Sequence, residues 1–211
     1  MNKFVVEFFG TLLLVFAIVY GYGAMEVNNT ILFIAVSYMV LIFIGAPHSG
    51  AHFNPAITLA NFIRGKLNAS TASLYFIAQL VGAMLGAAGA AWLVSNVEQV
   101  SIPVATANLE FFPAIWSELL GSFILAFVML QSRTIKTPIN RYWYGIIMAL
   151  FLGVLIYFLR EFSGGSFNPA VALGVSSVKM AFWADIWLYI LPTIGGGALA
   201  AFVYLIFNGK D

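Results

Sequence analysis

Six long apolar stretches constrain the fold of this chain more than any other feature. A transmembrane helix needs about 20 mostly apolar residues, and six stretches approximately reach that length: 4–23, 30–47, 71–95, 112–132, 142–160 and 182–207. Only 8% of the residues are charged, whereas a soluble domain has roughly 25%, so a soluble globule would have almost no polar surface. The sequence therefore predicts an all-α membrane protein whose surroundings are the lipid bilayer.

Two shorter apolar segments, 54–64 and 168–178, lie between these spans and are too short to cross the membrane. Each begins with Asn-Pro-Ala, which puts Pro in the first helical turn, where its missing N–H does no harm. Irregular backbone at membrane depth occurs only inside protein or beside a water-filled path. We therefore expect two re-entrant half-helices that enter the membrane without crossing it.

The two Asn-Pro-Ala triplets belong to a longer repeat. The sequence SGAHFNPA at 49–56 recurs as SGGSFNPA at 163–170, an offset of 114 residues (163 − 49). A second pair, Glu7-x-x-Gly10 and Glu118-x-x-Gly121, lies in spans one and four. Each half then has three spans and one half-helix, and an odd number of spans inverts the second half. We expect one channel domain, 1–211, made of inverted repeats of approximately 1–100 and 108–211, with its site near the midplane.

Glycines in spans three and six predict close packing against neighbouring helices, because small residues let two backbones approach. They are Gly82, Gly86 and Gly89, and Gly195, Gly196 and Gly197.

The positive charges predict the orientation. Of the nine Lys and Arg residues, seven fall on one side of a six-span arrangement: Lys3, Arg64, Lys66, Arg133, Lys136, Arg141 and Lys210. Arg160 and Lys179 fall on the other side. Because cytoplasmic loops carry the excess of Lys and Arg, both termini are expected in the cytoplasm. The short termini indicate a multi-pass protein of a prokaryotic inner (plasma) membrane.

Asn54 and Asn168 are the strongest candidates for a functional role. An Asn side chain offers an amide NH₂ as a hydrogen-bond donor, and each half-helix N-terminus carries roughly +0.5 charge. Two such ends at the midplane would hold a neutral solute and oppose cations. Asn is also a favoured N-cap, but capping alone does not explain a matched pair. The predicted pore motifs are Asn54, Pro55 and Ala56, and Asn168, Pro169 and Ala170.

The loops before the half-helices are predicted to line the pore with backbone carbonyls, which can replace part of a solute's hydration. The residues concerned are Gly50, Ala51, His52, Gly164 and Ser166. His52 has two interpretations, a pore-lining side chain or a packed histidine. The intramembrane carboxylates Glu7 and Glu118 are expected to accept hydrogen bonds from loop N–H groups, with proton coupling as the other interpretation.

Together, the two NPA motifs and the Glu-x-x-Gly pair resemble the aquaporin/aquaglyceroporin (major intrinsic protein) family. The resemblance covers nearly the whole chain. It implies a homotetramer with one pore per subunit that conducts water or small neutral solutes passively. Neither a cofactor nor a nucleic-acid partner is expected. The sequence also shows no nucleophile–base pair or metal-ligand cluster, so we expect neither enzymatic activity nor a metal site.

One family feature is missing. Members of this family usually have an outer constriction of four residues that includes an Arg directly after the second NPA. The matching positions here are Ile34, Ile156, Gly165 and Val171. Arg provides charge and a fork of donors, so the replacement predicts a wider, apolar filter for solutes such as glycerol, urea or neutral metalloid acids such as arsenite. The Asp typical of glycerol-specialised members is also absent, and Arg160 is a candidate substitute for the missing Arg.

Two other classes of membrane protein fit parts of the sequence. Inverted repeats also build secondary transporters, although the spans contain little charge beyond the Glu pair to couple to an ion. A structural membrane protein with a closed pore would share the same motifs. Solute flux that is linear in the gradient and independent of pH and sodium would distinguish a channel from both.

Overall fold

A computed structural model describes residues 2–96, 110–132 and 140–209, with side chains from 143 onward in the last segment. The described residues form eight α-helices: α1 (Lys3–Ala24), α2 (Val27–Gly45), α3 (Pro55–Ile63), α4 (Ala69–Ser95), α5 (Phe111–Ser132), α6 (Asn140–Ser163), α7 (Pro169–Ser177) and α8 (Trp187–Asn208). A short 3₁₀ turn, Trp183–Asp185, precedes α8. Six of the helices are long and apolar enough to cross a membrane. The predicted all-α fold with six spans and two short helices is confirmed.

Three helix boundaries differ from the sequence prediction by three residues or more. Helix α8 begins at Trp187 rather than 182, because the 3₁₀ turn Trp183–Asp185 precedes it. Helix α2 begins at Val27 rather than near 30, since the Thr30 N–H already donates to the Glu26 carbonyl (2.8 Å). Helix α6 continues past 160 to Ser163. Arg160 therefore belongs to the last helical turn, where a cation interacts favourably with the helix dipole, and not to a loop.

The helices pack in pairs that match across the two halves of the chain. Helix α1 packs against α4 as α5 packs against α8, while α7 contacts α4 as α3 contacts α8. Helix α2 packs against α6. The two half-helices α3 and α7 contact each other as well, so they lie at the centre of the bundle.

Most of the glycines in α4 and α8 lie at close backbone contacts, as the sequence predicted. An added Cβ at Gly82 or Gly86 would overlap α1 carbonyl oxygens, and one at Gly196 would overlap the Leu119 carbonyl. Gly197 lies equally close to Ala56. The prediction is wrong for Gly89, which would make only ordinary contacts with Phe16, and for Gly195, where an added Cβ would meet nothing within 4 Å.

The outer surface has the character expected of a protein in lipid. All five tryptophans are exposed, and each lies near a helix end: Trp92, Trp116, Trp143, Trp183 and Trp187. Tryptophan favours the two membrane–water interfaces, where an amphipathic ring sits at headgroup level. Large apolar side chains such as Leu32 and Leu150 are exposed between these ends. The pattern agrees with a multi-pass membrane protein.

The basic residues among the described residues form two groups according to the helix ends at which they lie. Lys3 donates to Thr71 at the start of α4 (3.2 Å), while Arg64 donates to the Leu130 carbonyl near the end of α5 (3.3 Å) and stacks on Tyr204 of α8. Arg160 lies at the end of α6 and Lys179 just after α7. Arg133, Lys136 and Lys210, and the side chain of Arg141, lie outside the described residues.

Candidate functional site

The two half-helices begin with the same local structure. Asn54 and Asn168 have extended backbones, and each side-chain oxygen accepts from the N–H two residues later, in Ala56 (2.8 Å) and Ala170 (2.9 Å). Pro55 and Pro169 occupy the first helical positions. Each Asn is thus an N-cap, as its residue type favours.

The same two side chains also join the halves to each other. The Asn54 amide donates to the Phe167 carbonyl (3.0 Å), and the Asn168 amide donates to the Phe53 carbonyl (2.9 Å). Because an amide NH₂ has two N–H groups, this pairing uses one donor of each Asn. Both side chains are only slightly exposed, at 4% and 5%. Two helix N-termini and two remaining amide donors therefore converge at one buried place.

The carboxylates of Glu7 and Glu118 hold the two loops in matching ways. Glu7 accepts from the backbone N–H groups of His52 (3.0 Å) and Phe53 (2.8 Å), and from the Ser49 hydroxyl (2.6 Å). Glu118 accepts from the N–H groups of Ser166 (2.9 Å) and Phe167 (2.6 Å), and from the Ser163 hydroxyl (2.7 Å). Both are fully buried, and this geometry is the one expected of loop-supporting carboxylates.

The first loop has an additional polar cluster that the second loop does not reproduce. Gln79 donates to Glu7 (2.8 Å) and to the Thr58 hydroxyl (2.9 Å), and Thr58 also contacts Nδ1 of His52 (3.1 Å). The ring of His52 is buried edge-to-face against Tyr75. The structure therefore places His52 in the packing that supports the loop.

The roles of two phenylalanines were not predicted from the sequence. Phe53 and Phe167 both have φ of +49°, a region that bulky residues rarely adopt. Each ring lies on a glycine of the Glu-x-x-Gly pair, so that an added Cβ on Gly10 or Gly121 would overlap it. The Glu-x-x-Gly spacing was the one sequence feature that could have indicated these roles. One turn of helix supplies both the carboxylate that accepts from the Phe N–H and the glycine against which the Phe ring packs.

The four residues predicted for the outer filter lie together. Ile34 of α2, Ile156 of α6, Gly165 of the second loop and Val171 of α7 line one cavity of about 400 Å³. Gly164 and Ser166 line it too, whereas Gly50, Ala51 and His52 of the first loop are buried elsewhere. The apolar residues Ile18, Val175, Met180 and Ala181 also line it.

The cavity is also lined by the polar residues Tyr22, Arg160, Ser163, Ser166 and Tyr189. Tyr22 lies one helical turn after Ile18 on the same face of α1, and Arg160 ends α6. The Arg160 guanidinium pairs with Glu161 (2.7 Å). Neither the Tyr22 hydroxyl nor Nε of Arg160 has a hydrogen-bond partner among the described residues, although both atoms are buried. Tyr22 belongs to no sequence motif. Its spacing of four residues from Ile18, which lines the same cavity, is the one sequence feature that agrees with its place there.

Comparison with known proteins identifies the arrangement. The Major intrinsic protein family profile matches residues 1–204 of the chain. The chain belongs to the major intrinsic protein family. It is 30% identical to the probable aquaporin NIP-type of Nicotiana alata, over 100% of this chain and 79% of that protein. It is also 30% identical to the glycerol uptake facilitator protein-like 6 of Lactiplantibacillus plantarum, over the full length of both.

The fold agrees with a solved structure of this family. The aquaglyceroporin from Plasmodium falciparum superposes with a TM-score of 0.80 at 22% identity, covering 96% of this chain and 94% of that one. As a member of the major intrinsic protein family, this protein is a membrane channel for water or small neutral solutes and is not an enzyme.

Proposed function

We propose that this channel conducts small uncharged solutes larger than water, as well as water, through a wide apolar outer filter formed by Ile34, Ile156, Gly165 and Val171. The observation that carries the proposal is the single cavity that these four residues line. None of the four side chains can hydrogen-bond a solute or carry a charge. The filter therefore selects by size and by the absence of charge.

The chemistry of the wall favours solutes that tolerate partial dehydration. Val171 stands where the family resemblance places an Arg, so charge, donors and volume are all absent there. The loop of Gly164, Gly165 and Ser166 supplies the polar part of the path. Glycerol, urea and undissociated metalloid acids such as arsenite are the candidate solutes. One relative bears the name of a glycerol uptake facilitator, which agrees with this solute class.

At the midplane, we propose that Asn54 and Asn168 pass the solute between the halves. The second N–H of each amide donates to a solute oxygen, while the two half-helix N-termini make the local potential positive. A neutral molecule with a lone pair is stabilised there and a cation is opposed. The motif residues Pro55, Ala56, Pro169 and Ala170 set the start of each half-helix and thereby position the two amides.

The assembly and placement of the channel are part of the same proposal. We infer one channel domain of two inverted repeats, approximately 1–100 and 108–211, in a homotetramer with one pore per subunit. The matched helix pairs and matched carboxylate contacts support the repeats. The protein would lie in the plasma membrane with both termini in the cytoplasm, as the distribution of Lys and Arg favours.

The proposed filter is tested with Val171→Arg. Arginine would add charge and volume to the cavity, so we expect permeability to glycerol, urea and arsenite to fall about tenfold more than permeability to water, a typical effect of pocket size. Stopped-flow light scattering on proteoliposomes measures all four solutes. Val171→Leu is the control for volume without charge, and its solute preference should change less.

Three results would contradict this function. Equal losses for all four solutes in Val171→Arg, or no loss, would exclude a filter at position 171. Saturable uptake that depends on pH or sodium would indicate a secondary transporter, and the absence of any flux from intact protein would indicate a closed pore.

A further inference from the structure

The outer cavity contains one charged side chain among the described residues that line it, and that side chain is Arg160. It comes from the last turn of α6 and reaches the cavity beside the second loop. Gly165 packs directly against it, since a Cβ added to Gly165 would lie 3.5 Å from Cα and Cβ of Arg160. Arg160 therefore lies next to the filter residue Gly165. It belongs to α6, whereas Val171 belongs to α7.

Arg160 lines the cavity, whereas its ion-pair partner Glu161 is not among the residues that line it. Glu161 is 69% exposed, whereas the Arg160 side chain is 30% exposed. An exposed carboxylate is well screened by water and holds its partner weakly. Nε of Arg160 is buried without a hydrogen-bond partner in the described part of the chain.

The walls around this charge strengthen its effect. The cavity is lined mainly by apolar side chains such as Ile18, Ile34 and Val175. A cleft with low-dielectric walls and one sign of charge focuses the field and changes the local concentration of ions. A cation that enters this vestibule is repelled by the positive charge of Arg160 before it reaches the half-helices, while a neutral solute is not.

We propose that Arg160 is a specificity-determining residue of this channel, whose guanidinium excludes cations from the outer vestibule while the filter at Val171 stays wide. The inference rests on the proposed function, because an open path for neutral solutes is what makes an outer cation barrier necessary. It assigns exclusion of cations and selection by size to two different residues of the same cavity. A single Arg at position 171 would have coupled the two properties.

Arg160→Met tests this assignment, since Met has similar length and no charge. In proteoliposomes, we expect cation permeability to rise about tenfold on loss of one partly buried charge, while water and glycerol fluxes stay close to those of the unmodified protein. Lys179→Met is the matched control. It removes the same charge from the same face of the molecule, but Lys179 is exposed and is not among the cavity-lining residues. That variant should remain cation-tight.

Two further variants separate the charge from its neighbours. Arg160→Lys retains a positive charge and should stay cation-tight, which shows that the loss follows charge and not shape. Arg160→Met combined with Glu161→Gln should leak as Arg160→Met does. If the double variant is cation-tight again, an unpaired Glu161 caused the leak and the inference is overturned.

A conducting, cation-tight Arg160→Met protein would also overturn the inference and leave the proposed function standing. Unmodified protein that passes no neutral solute above empty liposomes would instead remove the proposed function, and this inference with it.

Discussion

Single residues in this molecule are restricted by contacts that only the folded repeat reveals. Phe167 keeps an unusual positive φ because its N–H donates to Glu118 and its ring fills the space that a side chain at Gly121 would occupy. Phe53 is held in the same way by Glu7 and Gly10. The carbonyls of both phenylalanines accept from the pore Asn residues, so glycines on α1 and α5 control the positions of the amides.

Gly121→Ala tests this control. The added methyl would overlap the Phe167 ring, so we expect a loss of about 1–3 kcal/mol in the free energy of unfolding, as for other overpacked sites. Displacement of Phe167 should also lower solute flux. Denaturation of the purified protein in detergent measures the first effect, and stopped-flow assays measure the second.

Gly195→Ala is a matched control for this change, because it lies within α8 and its added Cβ meets no atom within 4 Å. Removing an open helical glycine should stabilise the protein by up to about 1 kcal/mol. A Gly121→Ala protein as stable and as active as Gly195→Ala would show that the ring contact has no importance.

At the scale of elements, the half-helices depend on the rest of the protein for their existence. Each has nine residues, and isolated helices shorter than about 12–15 residues are marginal in water. Caps at Asn54 and Asn168, carboxylate-bound loops and packing against α4 and α8 replace the missing length. Two short helices can therefore begin at the centre of the bundle with their N-termini close to each other.

We expect Asn168→Asp to damage the midplane barrier. Aspartate can still cap Ala170, but it loses the donor to the Phe53 carbonyl and adds a negative charge where the positive potential opposes cations. The expected result is cation leakage or loss of flux. Asn68→Asp is the control, because Asn68 caps α4 through Thr71 (2.8 Å) at an exposed position. Proteoliposome conductance and solute flux measure both variants, and cation-tight, normal conduction by Asn168→Asp would contradict the barrier.

The elements that carry local signals were predictable from the sequence. Asn-Pro at a helix start, glycine-rich loops and long apolar runs each have a direct conformational cause, and they predicted α3, α7 and the six spans. Contacts between distant elements were less accessible. Nothing local to Phe53 indicates a positive φ, and the predicted span 142–160 stopped three residues short of the end of α6 at Ser163. The exchange of hydrogen bonds between Asn54 and Asn168 depends on how the halves meet, which no local pattern specifies.

At the scale of the whole molecule, the chain segments that follow the two half-helices lie on opposite faces of the protein. Lys66 follows α3 on the face where Lys3 and Arg64 lie, and Lys179 follows α7 on the face of Arg160. The positive-inside rule predicts that the first face is cytoplasmic. Because the chain has no cysteine, a single introduced thiol can be labelled without background.

This arrangement predicts opposite accessibility for two exposed lysine positions. In intact cells, a membrane-impermeant maleimide should label Lys179→Cys and leave Lys66→Cys unlabelled. Inside-out vesicles should reverse the pattern, and labelling of both variants after detergent treatment confirms that each thiol is reactive. Labelling of Lys66→Cys from outside intact cells would reverse the proposed orientation. It would also move Arg160 and the apolar filter to the cytoplasmic mouth, so that entering solutes would meet the half-helices before the cation barrier.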